Sequence, residues 1–356
     1  MGKYDIPPRP LIDLSKKQKE RKKKLLKNEV KQIEIEGSND ISSLVESFAE
    51  SSFEARNIGL ASQLYYKKLQ TNTAIIWSLS GSIFSAGLRQ ITIDSIRARH
   101  VDALVCTGAL FEQDMLEALG HKHYICDPHQ DDSELQSLYI DRIYDHLLDE
   151  VALKQVDLTF KKISESIPEG NYSSREFMEI CGNWLSHAEG VKDSVMQAAF
   201  EEEIPIFIPA INDCSIGIGL AMQQQKKGGM TIDSIKDLKE IAFMKSKCGE
   251  SGMIVVGGGV PKNYAQDAVV VAEMLGFNVE KHKFGIQIST ADLRDGGLSG
   301  STLKEAISWG KNDKEMEEVM VWGEATVFFP LLIGYVNQKM KNIKRKGPKL
   351  TNIFQS

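Results

Sequence analysis

From about residue 70 onward, short runs of apolar and β-branched residues alternate with longer stretches of helical periodicity. This alternation constrains the fold more than any other feature of the chain. The runs Ala74–Leu79, Val101–Cys106, Ile204–Ile208, Met253–Val256 and Phe284–Ile288 read as buried strands, and Phe84–Arg99, Ser133–Leu148, Thr231–Lys247 and Asn263–Leu275 as helices. Strands that alternate with helices pair in parallel through crossovers. The expected architecture is therefore α/β: a doubly wound, mostly parallel sheet with an N-terminal helical extension.

In such a sheet the ligand crevice lies beyond the carboxyl ends of the strands. All five expected strands end in small or polar residues: Ser80-Gly81-Ser82, Thr107-Gly108-Ala109, Asn212-Asp213, Gly257-Gly258-Gly259 and Ser289-Thr290-Ala291. Five such tips along one edge suit an extended polar ligand such as a dinucleotide.

The chain divides into a polar N-terminal extension (residues 1–55), one large α/β domain (56–345) and a short tail (346–356). The extension carries KKQKERKKKLLK, from Lys16 to Lys27. That run reads either as a solvated helical arm or as an arm that docks on a neighbouring subunit or an acidic partner. A net charge of -6 argues against nucleic acid as a partner, because phosphate contacts need a basic surface. The opening MGKYDIPPRP lacks the apolar run of a signal peptide, and no run of about 18 apolar residues exists to span a membrane. Five irregularly spaced cysteines read as reduced thiols, so a cytoplasmic protein is expected.

Two glycine-rich motifs carry candidate chemistry. In MIVVGGGVPKN, from Met253 to Asn263, a strand runs into three glycines and a proline suited to a helix start. Gly257, Gly258 and Gly259 form either a simple tight turn or a place where backbone approaches a phosphate or ribose. In DGGLSGSTLKEAISWGK, from Asp295 to Lys311, a glycine-rich loop enters a short amphipathic helix over Thr302 to Ser308. Lys311 beside Trp309 could be a desolvated, nucleophilic amine. It could equally be a solvated lysine at a helix C-terminus. Glu305, four residues before Trp309, shares its helix face. The cluster HKHYICDPH, His121 to His129, matches no standard zinc spacing and reads as a surface loop, so no metal is expected.

Together GGGVPK, PAINDCSIG, DGGLSG, EAISWGK and EATVFFPLL resemble deoxyhypusine synthase, in the same order from about residue 57 to 342. The resemblance implies a Rossmann-like homotetramer with active sites at dimer interfaces. It implies NAD as cofactor, a polyamine such as spermidine as aminobutyl donor, and a lysine of a translation factor as acceptor. Lys311 matches the imine-forming lysine, and Glu305 and Trp309 match residues that line the polyamine pocket. Ser85, Thr107, Gly108, Asp213, Gly257, Gly258, Gly259, Thr290, Ala291, Asp295 and Ser299 fall at cofactor positions. Glu324, with Ala325 beside it, stands where the family usually has Asp, and Gln113 replaces a Glu.

The polyamine half departs from the pattern. Asn263 stands where the family has a histidine that helps proton transfer, and Ile218 and Leu298 replace two aspartates that face the amines. An ammonium against Ile and Leu without a counter-ion is unfavourable. Two other functions therefore compete with deoxyhypusine synthesis. One is a small-molecule transferase of homospermidine synthase type; the other is a non-catalytic NAD-binding homologue, against which retention of Lys311, Trp309 and Glu305 argues.

Overall fold

A computed structural model describes residues 12–37, 40–225, 228–343, 345 and 347–354. Its centre is a six-stranded sheet: β1 (Ala74–Leu79), β2 (Ala103–Cys106), β3 (Ile206–Phe207), β4 (Ser251–Val256), β5 (His282–Ser289) and β6 (Asn312–Trp322). Every neighbouring pair is parallel, and the strand order is β3-β2-β1-β4-β5-β6. The doubly wound arrangement expected from the alternation is thus present, with its switch point between β1 and β4. All residues of β1 and β4 are buried, because helices cover both faces of the sheet.

On one face Trp77 packs edge-on against Phe329 at 5.2 Å between ring centroids. The Trp77 indole donates to the Tyr65 hydroxyl at 3.1 Å, which in turn donates to the His100 carbonyl at 2.6 Å. Both polar tips are thereby satisfied inside an otherwise apolar layer.

Several segments differ from expectation. Ser133–Leu148 is not one helix. A short helix, Asp132–Ser137, gives way to an antiparallel hairpin of Ile140–Ile143 with His146–Asp149. Positive φ at Tyr139 (56°) and Tyr144 (53°) breaks the helical path. The long helix begins only at Glu150, where Asp149 caps it, and runs to Glu165. The expected helix Phe84–Arg99 bends at Gly87, whose φ is 94°, and its regular part is Arg89–Arg97. Thr231 belongs to a short strand, so the helix that follows is Ser234–Lys247. Helix Gly259–Met274 starts earlier than expected, at the third glycine. The strand β6 has no counterpart among the expected strands.

At the N-terminus, helix Lys16–Leu25 buries nothing. Helix Ile41–Phe48 packs on helix Ala325–Lys339, where the Ser42 amide donates to Gln338 Oε1 at 2.6 Å. Near the C-terminus Arg345 is fully buried against Asp102, at 2.7 and 2.9 Å, and Asp102 also accepts from the Ile75 amide. Among the described residues no helix is long and apolar enough to cross a membrane, and no cluster of potential metal ligands forms.

Candidate active site

The tips of β1 and β4 meet through a serine. Ser80 Oγ donates to the Val256 carbonyl at 3.1 Å and accepts from the Gly258 amide at 2.9 Å. A side chain at Gly257 would place its Cβ 2.5 Å from Ser80 Oγ, on a backbone whose φ is 76°. A Cβ at Gly258 would lie 2.5 Å from the Ser299 Cα. Two of the three glycines are therefore required by the close approach of two strand tips and the 290–304 loop. Gln287 reinforces that approach, donating to the carbonyls of Gly257 at 2.9 Å and Ser299 at 3.0 Å. Gly259 has only Pro261 Cδ near it, at 4.0 Å, and it opens the helix Gly259–Met274.

Beyond these tips lies an open cleft of ≈ 370 Å³. It is lined by Ser80, Gly81, Ser82, Gly257, Thr290, Ala291, Ser299, Glu324 and Ala325, among others. Six of the residues expected at cofactor positions thus share one cleft at the topological switch point. Glu324 caps the helix Ala325–Lys339, accepting from the Thr326 amide at 2.8 Å. Small residues, hydroxyls and a helix N-terminus at a switch point are the features a dinucleotide's phosphates and riboses need, so the residues present fit such a group.

The remaining expected cofactor residues are not part of this lining. Ser85 Oγ donates to the Ser82 carbonyl at 2.8 Å and pairs with His146 Nε2 at 2.9 Å, while its amide donates to Gln113 Oε1 at 3.0 Å. Gln113 thus holds the turn after β1. Asp295 is exposed in the 290–304 loop and accepts from the Gly297 amide at 3.0 Å. Thr107, Gly108 and Asp213 follow the ends of β2 and β3, outside the cleft lining. A Cβ at Gly108 would fall 2.3 Å from Cys214 Sγ, which accounts for glycine there by packing.

Lys311 follows the 290–304 loop in sequence and is not among the residues that line the cleft. Glu305 folds back to accept from the Thr302 amide at 2.6 Å, and those hydrogen bonds hold its carboxyl below the usual range. This turn starts the short helix Glu305–Ser308, shorter than the expected Thr302–Ser308. Gly310, with φ 75°, then turns the chain so that Lys311 immediately precedes β6. The Lys311 side chain is only 12% exposed. Its Nζ donates to Asn263 Oδ1 at 2.7 Å and lies 2.8 Å from Asp267 Oδ1. The Asn263 amide donates to Asp267 Oδ2 at 2.6 Å, closing a ring of three side chains. The Trp309 ring centroid is 5.6 Å from Nζ, although the ring itself is largely exposed. Lys311 is thus a mostly covered side chain paired with Asn263 and Asp267.

Sequence reasoning missed two members of this cluster. Asp267 is one turn beyond Asn263 on the same helix face, and that spacing was the only signal for it. Lys262 is 1% exposed and donates to the Leu298 carbonyl at 3.1 Å, Ser301 Oγ at 3.0 Å and the Ser301 carbonyl. Burial pushes its ammonium down to about 8, opposed by Glu305 and reinforced by the charge of Lys311. It clamps the loop that bears Leu298 and Ser299.

Leu298 and Ile218 are both half-exposed, at 42% and 50%. Leu298 sits on the clamped loop. Ile218 is on helix Ser215–Gln223, which follows β3 at one edge of the sheet, whereas Lys311 precedes β6 at the opposite edge. One chain does not bring these two together.

Comparison with known proteins gives a consistent result. The family model for deoxyhypusine synthase matches residues 43–336. A deoxyhypusine synthase-like protein of Chlorobaculum parvum is 44% identical over 319 residues, covering 88% of this chain and 91% of its own. One from Coxiella burnetii is 42% identical over 340 residues, covering 94% and 96%. "Probable deoxyhypusine synthase 2" of Methanosarcina mazei is 37% identical over 309 residues, covering 86% and 90%. A crystal structure from Entamoeba histolytica, assigned as a deoxyhypusine synthase, superposes with a TM-score of 0.59 over 89% of this chain and 98% of its own. At 17% identity that likeness speaks to the fold alone.

Proposed function

We propose that this chain, which belongs to the deoxyhypusine synthase family, is an NAD-dependent aminoalkyl transferase that works through an imine on Lys311. The observation that carries the reading is the placement of Lys311 Nζ: nearly buried, beside Trp309, and held by Asn263 and Asp267. A lysine so fixed can act as a covalent carrier, and arginine could not replace it. NAD, when bound, supplies hydride acceptance and return. Gly257, Gly258, Gly259, Thr290, Ala291, Ser299, Glu324 and Ala325 are the residues that would hold it. Glu305 and Trp309 would border the polyamine.

Spermidine is the donor and a translation-factor lysine the acceptor in the first form of this reading. A second form, transfer to a small amine such as putrescine, draws support from Ile218 and Leu298, two exposed apolar side chains where the resemblance expects aspartates. Because Ile218 and Lys311 sit at opposite sheet edges, a pocket that uses both would take them from two copies. This supports active sites at dimer interfaces, the arrangement that the resemblance implies.

The deciding experiment incubates the protein with NAD and candidate polyamines, traps with borohydride, and locates the adduct by mass spectrometry. An aminobutyl adduct on Lys311 is expected. A trapped group on another residue would overturn the reading.

A further inference from the structure

We propose that Asp267 is the proton carrier of the imine exchange at Lys311, taking protons from the lysine nitrogen and delivering them to the departing amine. This rests on the reading of Lys311 as the imine-forming lysine and adds the residue that moves its protons.

The exchange cannot proceed from an ammonium, which has no lone pair, and Lys311 Nζ is engaged by two oxygen acceptors, Asn263 Oδ1 and Asp267 Oδ1. Something within reach of Nζ must accept a proton. Asn263, which contacts Nζ most closely, is an amide that neither gains nor loses a proton near neutrality. Glu305 is exposed and committed to the amide and hydroxyl of Thr302. Lys262 is a cation bound to two carbonyls and a hydroxyl. Asp267 alone of these groups is a carboxylate in contact with the reacting atom, at 2.8 Å. Its orientation is fixed as well, since the Asn263 amide holds Oδ2 and leaves Oδ1 facing Nζ. The carboxyl is about one-third exposed, so it can meet a substrate nitrogen that enters from solvent. Asn263 thereby becomes a positioning residue for both the lysine and its proton acceptor.

The steps balance. Lys311 ammonium gives one proton to Asp267, and the free amine adds to the carbon of a donor imine, forming a C–N bond. Asp267 passes that proton to the donor nitrogen. A second proton follows the same route from the lysine nitrogen of the adduct. The donor C–N bond then breaks, the donor nitrogen leaves as an amine, and a protonated imine remains on Lys311. Two protons have moved from one nitrogen to the other, no electrons are gained or lost, and Asp267 ends as it began.

The probe is 1-pyrroline, a cyclic imine that a lysine amine opens to an aminobutyl imine, trapped with cyanoborohydride. It needs neither dinucleotide nor polyamine, so it separates proton transfer from the oxidation. The full-length protein should acquire an aminobutyl group on Lys311. In Asp267→Asn the rate should fall by about 100-fold or more, the usual worth of a positioned acid–base group. Asp267→Ser serves as the second neutral variant should the first not fold, and Asp267→Glu should recover part of the rate. A carboxylate that merely paired with the ammonium would give the opposite sign: its removal would free the amine and leave labelling as fast or faster. Wild-type rates in the neutral variants, or labelling of the wild type at another lysine, would overturn the assignment. A parallel arm with NAD and a panel of candidate polyamines, spermidine among them, tests the transferase reading itself. Failure there, with the pyrroline result intact, would remove the donor and cofactor assignment and leave the role of Asp267 standing.

Discussion

Lys311 Nζ donates to Asn263 Oδ1 at 2.7 Å across 48 positions of sequence, joining the turn before β6 to the helix that follows the glycine tip of β4. The contact links the two glycine-rich motifs of the chain through a single amine.

Lys311→Arg keeps the positive charge and can still pair with Asp267, but its guanidinium cannot form an imine. Dinucleotide binding should be unchanged by titration calorimetry. Transferase turnover and the borohydride-trapped adduct should both disappear. Normal turnover in this variant would remove Lys311 from the chemistry.

At the glycine tip, Gly258→Val would drive a β-branched side chain into the Ser299 backbone, where even a Cβ falls 2.5 Å from Cα. The 290–304 loop must move, and the cleft it lines must change shape. Dinucleotide affinity should drop by about tenfold or more, roughly 1.4 kcal/mol, in a protein whose circular dichroism matches wild type. An unaltered affinity would place the cofactor elsewhere.

The pocket substitutions make a selectivity prediction. With Ile218 and Leu298 half-exposed and apolar, spermidine should be a poor donor for the wild-type protein. Ile218→Asp combined with Leu298→Asp should raise kcat/KM for spermidine relative to less charged amines, and either change alone should do less. Efficient use of spermidine by wild type, with no gain in the double variant, would favour ordinary deoxyhypusine synthesis.

Lys262 predicts a pH signature of stability. Its folded ammonium is pushed down to about 8 by burial, below the ordinary 10.5 of an exposed lysine. Between those values the unfolded chain binds more protons than the folded one, so this residue makes stability rise with pH. Lys262→Met should flatten that rise in chemical denaturation curves taken from pH 8 to 10. An identical slope in both proteins would contradict the assignment.

The sheet is legible where strands are buried on both faces, because a strand such as Ala74–Leu79 is then apolar at all but one position, Ser78. The edge strand β6 escaped notice for the converse reason. In NDKEMEEVMVW the acidic residues face solvent or pair with lysines, as Glu317 does with Lys67 and Lys68, and the apolar run is confined to the last four positions, Val319–Trp322. The hairpin at 140–149 is not legible because its apolar spacing fits either period, and positive φ at two tyrosines leaves no mark on composition. Lys311, Trp309 and the glycines stood out by motif. Asp267 and Lys262 did not, since an aspartate or lysine within a helix reads as surface until tertiary structure supplies its partner.

The buried Arg345–Asp102 pair has a consequence for biosynthesis. Asp102 lies just before β2 and accepts from the Ile75 amide in β1, so its carboxylate is built into the middle of the sheet. Its neutralising guanidinium comes from 243 positions further along, beyond every strand of the sheet. A ribosome-bound chain can therefore assemble every strand and still hold an unpaired anion at its centre, at a cost of several kcal/mol. Closure of the sheet therefore waits for the segment that carries Arg345, and a chain that lacks this residue should yield protein that quality control removes.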